Sequence, residues 1–180
     1  MFGGTALRAT LAFMAIASSS VHASEFDGNG VPVPIPVSAT PAFHDASLIA
    51  DLAGRWSGLG SALYSDGTTE KIKCVATYVR EGAAPTQIHQ NIRCSGSNMT
   101  LKLGGAWNIR DGAIAGTWSE ETYSLSGNLT GHAVPSGFDL KATSTFADAS
   151  VTVRMSGCTQ DIVMTFTQEV DRMHITLRKC

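Results

Sequence analysis

The chain has 180 residues, of which 43% are hydrophobic and only 16% are charged, and its formal net charge is −2. This composition excludes an intrinsically disordered protein, which combines low hydrophobicity with high net charge. The lack of a basic excess argues against nucleic acid as a partner.

The N-terminal segment has the order of a secretory signal peptide. A weakly positive start, residues 1–8, is followed by the uncharged apolar run ATLAFMAIA and by small residues that end at Ala23. The apolar run is too short for a transmembrane helix, which needs about 20 residues. We therefore predict that residues 1–23 are a signal peptide cleaved after Ala23, and that the mature protein is periplasmic or secreted.

A proline-rich segment follows the predicted cleavage site and includes the run VPVPIPVSATP. Alternating prolines remove backbone donors and favour an extended conformation. We interpret residues 24–44 as an N-terminal arm or tether. Residues 45–180 then form a single domain, which is long enough to bury one hydrophobic core.

This domain begins with a short helical pattern and continues with strand patterns. The stretch DASLIADLAG, from Asp45 to Gly54, starts with an N-cap residue and ends in glycine, which predicts one or two helical turns. From Trp56 onwards, alternating runs are interrupted by turn sequences about every ten residues. The pattern predicts an all-β fold, an antiparallel meander of eight to ten strands. A meander of this length closes as a barrel, which we expect, or folds as a sandwich.

Four cysteines lie after the predicted cleavage site, and an even number in an exported protein indicates disulfide bonds. Pairing Cys74 with Cys94 centres a hairpin on residue 84, within EGAAP. Pairing Cys158 with Cys180 centres another on Glu169, within TQEVD. Both midpoints fall in predicted turns, so we predict these two disulfides. No close Cys-x-x-Cys or Cys-x-x-His pair occurs, so we expect neither a zinc site nor redox catalysis.

Side-chain alternation supports the first hairpin. With Cys74 opposite Cys94, the apolar residues of both strands share one face, as a half-buried sheet requires. The opposite face carries a basic surface patch, which consists of Lys71, Lys73, His89 and Arg93. We interpret the patch mainly as a solvated polar face. The alternative is recognition of an anionic envelope lipid or polysaccharide.

The same test produces a conflict in the second hairpin. Direct opposition of Cys158 and Cys180 places the apolar Ile162 on the same face as the polar His174. One explanation is a bulge that shifts one strand by a residue and restores the segregation. The other is a polar inner face, with the outer aliphatic residues covered by the N-terminal arm or a partner. We favour the bulge.

The sequence Gly54-Arg55-Trp56 follows the helical turns and opens the first strand. It resembles the Gly-x-Trp signature of the calycins (lipocalins, fatty-acid-binding proteins and avidins) and the opening of small periplasmic metalloprotease inhibitors. The resemblance implies a small exported bacterial barrel whose closed end is plugged by Trp56. It also implies an arginine of the last strand across the indole, and the matching residue is Arg178.

The motif Ala-Gly-x-Trp-Ser occurs a second time, in IAGTWSEET, and ends at Trp118. Glycine lets a strand bend or approach its neighbour, and an adjacent tryptophan fills the space created. We interpret both tryptophans mainly as core residues, with ligand contact as the alternative.

Catalytic and metal-binding motifs are missing from the sequence. It has no Gly-x-Ser-x-Gly elbow, no His-Glu-x-x-His helix and no phosphate-binding glycine loop. The histidines after the predicted cleavage site are dispersed. We expect no enzymatic activity, no cofactor and no metal.

The leading functional hypothesis is an exported soluble barrel that binds a small apolar or amphipathic ligand, such as an envelope lipid. The expected ligand-binding residues are Trp56, Tyr78, Trp118, Phe138 and Phe166, with Arg178 closing one end. The alternative is a periplasmic protein–protein module, such as a protease or lysozyme inhibitor or an envelope interaction factor, acting through loops or the N-terminal arm. A hollow interior favours the first hypothesis and a filled interior the second.

We do not expect a membrane-spanning barrel. The chain ends in Cys180 rather than in an aromatic residue, and no outward apolar band with aromatic girdles is visible.

Overall fold

The computed structural model describes residues 45–82, 86–167 and 169–180. The predicted signal peptide (1–23) and the predicted proline-rich arm (24–44) lie outside the described residues.

Within those residues, one short helix precedes ten strands, which confirms the predicted all-β class. The elements are α1 (Asp45–Leu52), β1 (Gly54–Tyr64), β2 (Thr69–Arg80), β3 (Gln87–Ser95), β4 (Thr100–Arg110), β5 (Ala113–Glu120), β6 (Leu125–Val134), β7 (Gly137–Thr143), β8 (Asp148–Ser156), β9 (Thr159–Phe166) and β10 (Val170–Arg178). Each strand pairs antiparallel with its sequence neighbours, and β1 pairs with β10 to close a barrel. Closure leaves no edge strand open to pairing with another chain.

The first hairpin, β2–β3, has the predicted register. Cys74 lies opposite Cys94, and the two form a disulfide, called here the hairpin disulfide. Both cysteines are buried, as are Ile72, Tyr78 and Ile92 on the same face. Strict alternation therefore sets the inward face of this hairpin.

The second hairpin, β9–β10, separates apolar from polar side chains without the expected bulge. Its ladder is continuous from Thr165↔Arg172 to Thr159↔Arg178, and it places Ile162 opposite Ile175, both buried. Cys158 and Cys180 lie beyond the end of this ladder and form the C-terminal disulfide.

This offset has a simple origin. The ladder register places Cys158 opposite Lys179, whose backbone N–H donates to the Cys158 carbonyl at 3.2 Å. The disulfide therefore joins residues offset by one position. The expectation of a bulge within this hairpin was wrong, because a disulfide outside the ladder does not require its cysteines to be direct partners.

Helix α1 covers one end of the barrel. Its Ile49 and Leu52 are fully or almost fully buried, and the Leu52 carbonyl accepts a hydrogen bond from Trp56 Nε1 at 2.7 Å. Gly112, in the β4–β5 turn, donates its backbone N–H to Asp45 Oδ2 at 3.3 Å. We call this the closed end. No helix within the described ranges is long and apolar enough to cross a membrane.

The opposite end is formed by five hairpin connections, which we call the mouth turns. Their described residues are 65–68, 96–99, 121–124, 144–147, 167 and 169. Two buried carboxylates hold parts of this end together. Glu70 accepts the Asn98 backbone N–H at 2.6 Å and the Tyr64 hydroxyl at 2.7 Å.

The second carboxylate, Glu120, accepts the backbone N–H groups of Lys102 at 2.8 Å and Tyr123 at 2.6 Å. Burial alone would raise the pKa of Glu120, but hydrogen bonds from Lys102, Tyr123 and Thr122 outweigh it and hold the pKa below its usual value. Hydrogen bonds from the surrounding backbone therefore stabilise the ionised form of Glu120.

Candidate ligand cavity

The barrel interior is hollow on the side of the mouth turns. The cavity has a volume of about 510 Å³, and its wall consists mainly of aliphatic and aromatic side chains. Two lining residues in the mouth turns, Tyr123 and Phe146, are 64% and 74% exposed. The cavity therefore reaches solvent through the mouth turns and ends at the packed closed end.

Side-chain size explains where the hollow lies. Near the closed end the inward positions carry large residues such as Trp56 and Trp107, and the Trp107 ring contacts that of Phe138 edge-to-face at 5.5 Å. Toward the mouth, the inward positions of β7 and β8 include Ala142 and Ala149, which face each other across the ladder and both line the cavity. Short side chains at facing positions leave the interior unfilled.

The second copy of the glycine–tryptophan motif, which contains Gly116 and Trp118, has a cross-strand explanation. A Cβ at Gly116 would overlap Trp107 of the neighbouring strand, and Trp118 in turn lies beside Gly127, where a Cβ would be 3.0 Å from the indole nitrogen. Each glycine therefore makes room for the tryptophan of the adjacent strand. The expectation that a glycine serves the tryptophan next to it in sequence does not hold for Gly116.

A few polar groups interrupt the apolar wall. Gln90 accepts the Trp107 indole N–H at 2.9 Å, and the hydroxyl of Tyr78 donates to Gln160 at 3.4 Å. Burial raises the pKa of Tyr78, so its hydroxyl stays protonated. The indole N–H of Trp118 is buried and has no hydrogen-bond partner within the described residues.

Three of the residues expected to bind a ligand lie in the cavity wall. These are Tyr78, Trp118 and Phe166. Trp56 and Phe138 belong to the packed core and do not line the cavity. The sequence-based expectation relied on aromatic character. The depth of a residue along the barrel decides instead which aromatic side chains face the cavity.

Arg178 does not close the barrel end as the calycin resemblance implied. It is exposed on the outer wall, since the inward neighbour in β10 is Leu177. The cation over the Trp56 ring is Lys179, with Nζ 4.8 Å from the centroid. Lys179 Nζ also donates to the backbone carbonyl of Asp51, so it connects the chain end to α1.

Most of the cavity wall is aliphatic and was not singled out from the sequence. The additional lining residues include Met99, Leu101, Leu103, Leu125, Leu129, Leu140, Val151 and Met164. In the sequence, these residues occupy the inward-facing positions in the half of each strand that lies nearer the mouth turns. That signal becomes usable only when the closed end of the barrel is known.

The basic surface patch lies on the outer wall, as predicted, with all four residues exposed. Two of them have local partners. His89 Nε2 lies 2.6 Å from Glu81, and Arg93 contacts Asn91 at 3.1 Å and Glu121 at 4.0 Å. A depression of about 580 Å³ beside the patch is shallow and open to solvent, so it encloses far less of a ligand than the interior does. No cluster of metal-ligating side chains occurs among the described residues.

No protein-family model and no curated protein matches the chain. Several solved structures resemble it. Rv2717c from M. tuberculosis is 13% identical, with a TM-score of 0.60, and the match covers 76% of this chain and 98% of that one. The S-type phycobiliprotein lyase CPES from Guillardia theta is 12% identical, with a TM-score of 0.49 and coverage of 74% and 92%. The redesigned barrel mFAP1, bound to DFHBI, is 12% identical, with a TM-score of 0.43 and coverage of 75% and 98%. The likeness to Rv2717c shows a common barrel fold, in agreement with the calycin-like barrel that the Gly-x-Trp resemblance implies.

Proposed function

We propose that this protein is an exported barrel that binds a small apolar or amphipathic molecule in its interior. The observation that carries the proposal is the cavity of about 510 Å³, open at one end and walled mainly by apolar side chains. Ligand pockets are typically about 300–1,000 Å³ and mostly apolar, with a few polar groups that fix orientation. We propose no catalytic step.

The hollow interior favours ligand binding over a protein–protein module. An unfilled apolar cavity lowers the stability of a fold in proportion to its volume. A binding role accounts for that loss, whereas a module acting through its loops works equally well with a filled core. The two disulfides support the exported location, because such bonds persist in oxidising compartments.

Three aromatic side chains are placed to contact the ligand. Phe166 lies near the mouth turns, and Tyr78 and Trp118 lie in the wall of the cavity.

The test is displacement of the neutral fluorescent probe N-phenyl-1-naphthylamine by apolar compounds, compared with an Ala142→Phe variant. The added phenyl group would occupy space in the cavity wall. If it excludes about three methylene groups of a ligand, at about 0.8 kcal/mol each, affinity falls by roughly 2.4 kcal/mol, or about 60-fold.

Ala115→Phe is the matched control, because Ala115 is exposed on the outer wall of β5. We expect this variant to bind the probe as the wild type does. Probe binding that is absent from the wild type, or equal in the wild type and Ala142→Phe, would contradict the proposal.

A further inference from the structure

Exposed apolar side chains on the outer wall of the barrel are confined to two neighbouring strands. Among the described residues, five large hydrophobic side chains are exposed: Tyr123 and Phe146 in the mouth turns, and Leu59, Leu63 and Val79 on β1 and β2. Leu59, near the middle of β1, is 70% exposed. A single exposed leucine is ordinary on a protein surface, so its meaning depends on what surrounds it.

Ladder pairing surrounds the two leucines with basic residues. Leu59 lies opposite Lys73 of β2, and Leu63 lies opposite Arg172 of β10. The row between these pairs adds one basic residue on each side of Ser61. Neighbouring strands are about 4.8 Å apart, so each leucine has a cationic side chain directly beside it. We call this surface the leucine face, and its residues are Leu59, Leu63, Lys71, Lys73, Arg172 and His174.

The leucine face points away from the cavity. In β2 the buried Ile72 lies between Lys71 and Lys73, which are both exposed, and in β1 the buried Ala62 precedes the exposed Leu63. No residue of the face lines the cavity. The face is therefore a second surface, separate from the candidate ligand site.

Its cations have few acidic neighbours. Lys71, Lys73 and Arg172 form no ion pair within the described residues, whereas His174 lies 3.8 Å from Asp161 of β9. The outward positions of β1 and β2 contain no acidic residue. In contrast, the two members of the basic surface patch on β3 each have an acidic partner. The positive charge of β2 and β10 is thus left for a partner outside the chain.

The acidic residues nearest to the leucine face lie at its mouth end. They are Asp66 and Glu169 in the mouth turns and the exposed Asp171 at the start of β10. A negatively charged surface would therefore repel the mouth and attract the wall. This distribution of charge favours contact by the side of the barrel.

A lipid bilayer fits both the charge and the exposed leucines. The outer wall of a closed barrel is convex, so it offers no groove for an extended chain. An acidic polysaccharide would engage the cations and leave Leu59 in water. A bilayer accepts apolar side chains at the boundary between head groups and acyl chains, while its anionic lipids attract Lys and Arg.

We propose that the leucine face docks the barrel side-on to a bilayer that contains anionic phospholipids. Leu59 and Leu63 enter the boundary below the head groups, and Lys71, Lys73 and Arg172 contact the phosphate groups. Docking by the outer wall does not depend on a ligand in the cavity.

Co-sedimentation with vesicles tests the docking of the wild-type chain. One set of vesicles is phosphatidylcholine alone, and the other also contains about 30% phosphatidylglycerol. At about 0.1 M salt we expect partition into the anionic vesicles to be at least tenfold stronger. Raising the salt to about 0.5 M should remove most of this difference.

Charge-neutralising variants locate the basic part of the surface. Each Lys near an anionic bilayer strengthens partition about fivefold, so Lys71→Gln combined with Lys73→Gln should weaken it about 25-fold. The control combines Arg110→Gln with Lys141→Gln, which removes the same charge from exposed positions on β4 and β7. The control should stay within about twofold of the wild type, because charges farther away than a Debye length are screened.

A change at Leu59 tests the apolar part. Each methylene group returned to water weakens partition about fourfold, so Leu59→Ser should lower it by at least that factor without changing the net charge. Leu59→Met is the matched control, because it keeps an unbranched apolar side chain at the same position. We expect Leu59→Met to bind the anionic vesicles as the wild type does.

Each outcome supports or overturns the docking. Equal partition of the wild type into the two kinds of vesicle, an equal loss in the Arg110/Lys141 control, or no loss in Leu59→Ser would overturn it. Binding of dextran sulfate without binding of either vesicle would indicate a polyanion site and would also overturn it. The vesicle comparison and the salt titration use the wild-type chain, so they decide the matter even if a variant fails to fold. Displacement of N-phenyl-1-naphthylamine, measured without vesicles, tests the cavity separately.

Discussion

Lys179, rather than Arg178, should stabilise the closed end of the barrel. The two residues are adjacent at the end of β10 and both are exposed, yet only Lys179 contacts the Trp56 ring and the end of α1. The informative change is Lys179→Met, which keeps most of the apolar stem over the indole and removes the ammonium group. Arg178→Met is the matched control.

The magnitude follows from two contacts. An ammonium 4.8 Å from the ring centroid at an exposed site contributes about 0.5–1 kcal/mol. The hydrogen bond to the Asp51 carbonyl contributes about 0.5–1.5 kcal/mol net. Lys179→Met should therefore lower the free energy of unfolding by about 1–2.5 kcal/mol. Arg178→Met should stay within about 0.5 kcal/mol of the wild type, as surface changes without a contact usually do.

Urea unfolding followed by tryptophan fluorescence measures both variants. With an m-value of about 2 kcal/mol/M, the urea midpoint for Lys179→Met should fall by about 0.5–1.3 M. Lys179→Arg should recover most of the loss, because a guanidinium also interacts with an indole face. A loss for Arg178→Met that equals or exceeds the loss for Lys179→Met would refute the reasoning and restore the arginine to the role that the calycin resemblance gave it.

Three further predictions follow from burial, steric contact and ionisation. Dithiothreitol should reduce the exposed C-terminal disulfide before the buried hairpin disulfide. Alkylation of the free thiols followed by mass mapping measures the order. Reduction of both disulfides at the same rate would contradict protection by burial. Gly127→Ala should destabilise the barrel by about 1–3 kcal/mol, because the new Cβ overlaps the Thr143 carbonyl. Gly104→Ala is the control, because its new Cβ would lie 3.2 Å from the Ser119 hydroxyl oxygen, its nearest neighbour. Thermal denaturation should show a much smaller loss of stability for Gly104→Ala than for Gly127→Ala. Hydrogen bonds lower the pKa of Glu70 in the folded protein, chiefly the bond from the Asn98 N–H and then the bond from the Tyr64 hydroxyl. The ionised Glu70 therefore stabilises the fold above the pKa that it has in the unfolded chain. This stabilisation is lost as the pH falls through the pKa of the folded state. Melting temperatures should therefore drop below about pH 4.5, and Glu70→Gln should weaken that drop; an unchanged pH profile would count against it.

The strand pattern and the hairpin disulfide were predictable because both depend on local rules. Side chains alternate with a period of two, and a cysteine pair within a hairpin has its midpoint in the turn. The two rules agree for Cys74 and Cys94, which lie opposite each other with Cα atoms 4.1 Å apart. Agreement between independent signals fixed this register.

The second hairpin shows where such reasoning stops. Midpoint symmetry assumed that Cys158 and Cys180 are direct partners, but the ladder is shifted by one residue and the disulfide lies outside it. The apolar alternation of β9 and β10 gave the true register. Where apolar alternation and cysteine spacing disagree, the alternation decides the register. Burial of a whole apolar face contributes more free energy than the alignment of one cysteine pair.

The assignment of Arg178 failed for a related reason. Inward and outward positions alternate along β10 up to Leu177, which is buried, so Arg178 faces outward. The chain leaves the strand after Arg178, and the next residue, Lys179, turns back over Trp56. Sequence similarity identified the kind of contact, a cation on the tryptophan, and missed the residue by one position.

The separation of large and small inward residues along the barrel links stability to binding. The closed half contains the fully buried Trp56, Phe138 and Ile109, whereas the mouth half leaves Ala142 and Ala149 facing an open cavity. Large, fully buried side chains therefore fill the closed half, and the hollow is confined to the mouth half. In two of the mouth turns, a buried carboxylate accepts a backbone N–H: Glu70 accepts from Asn98, and Glu120 accepts from Tyr123. Turns that such hydrogen bonds hold before a ligand enters lose less conformational freedom on binding, which lowers the cost of admitting the ligand.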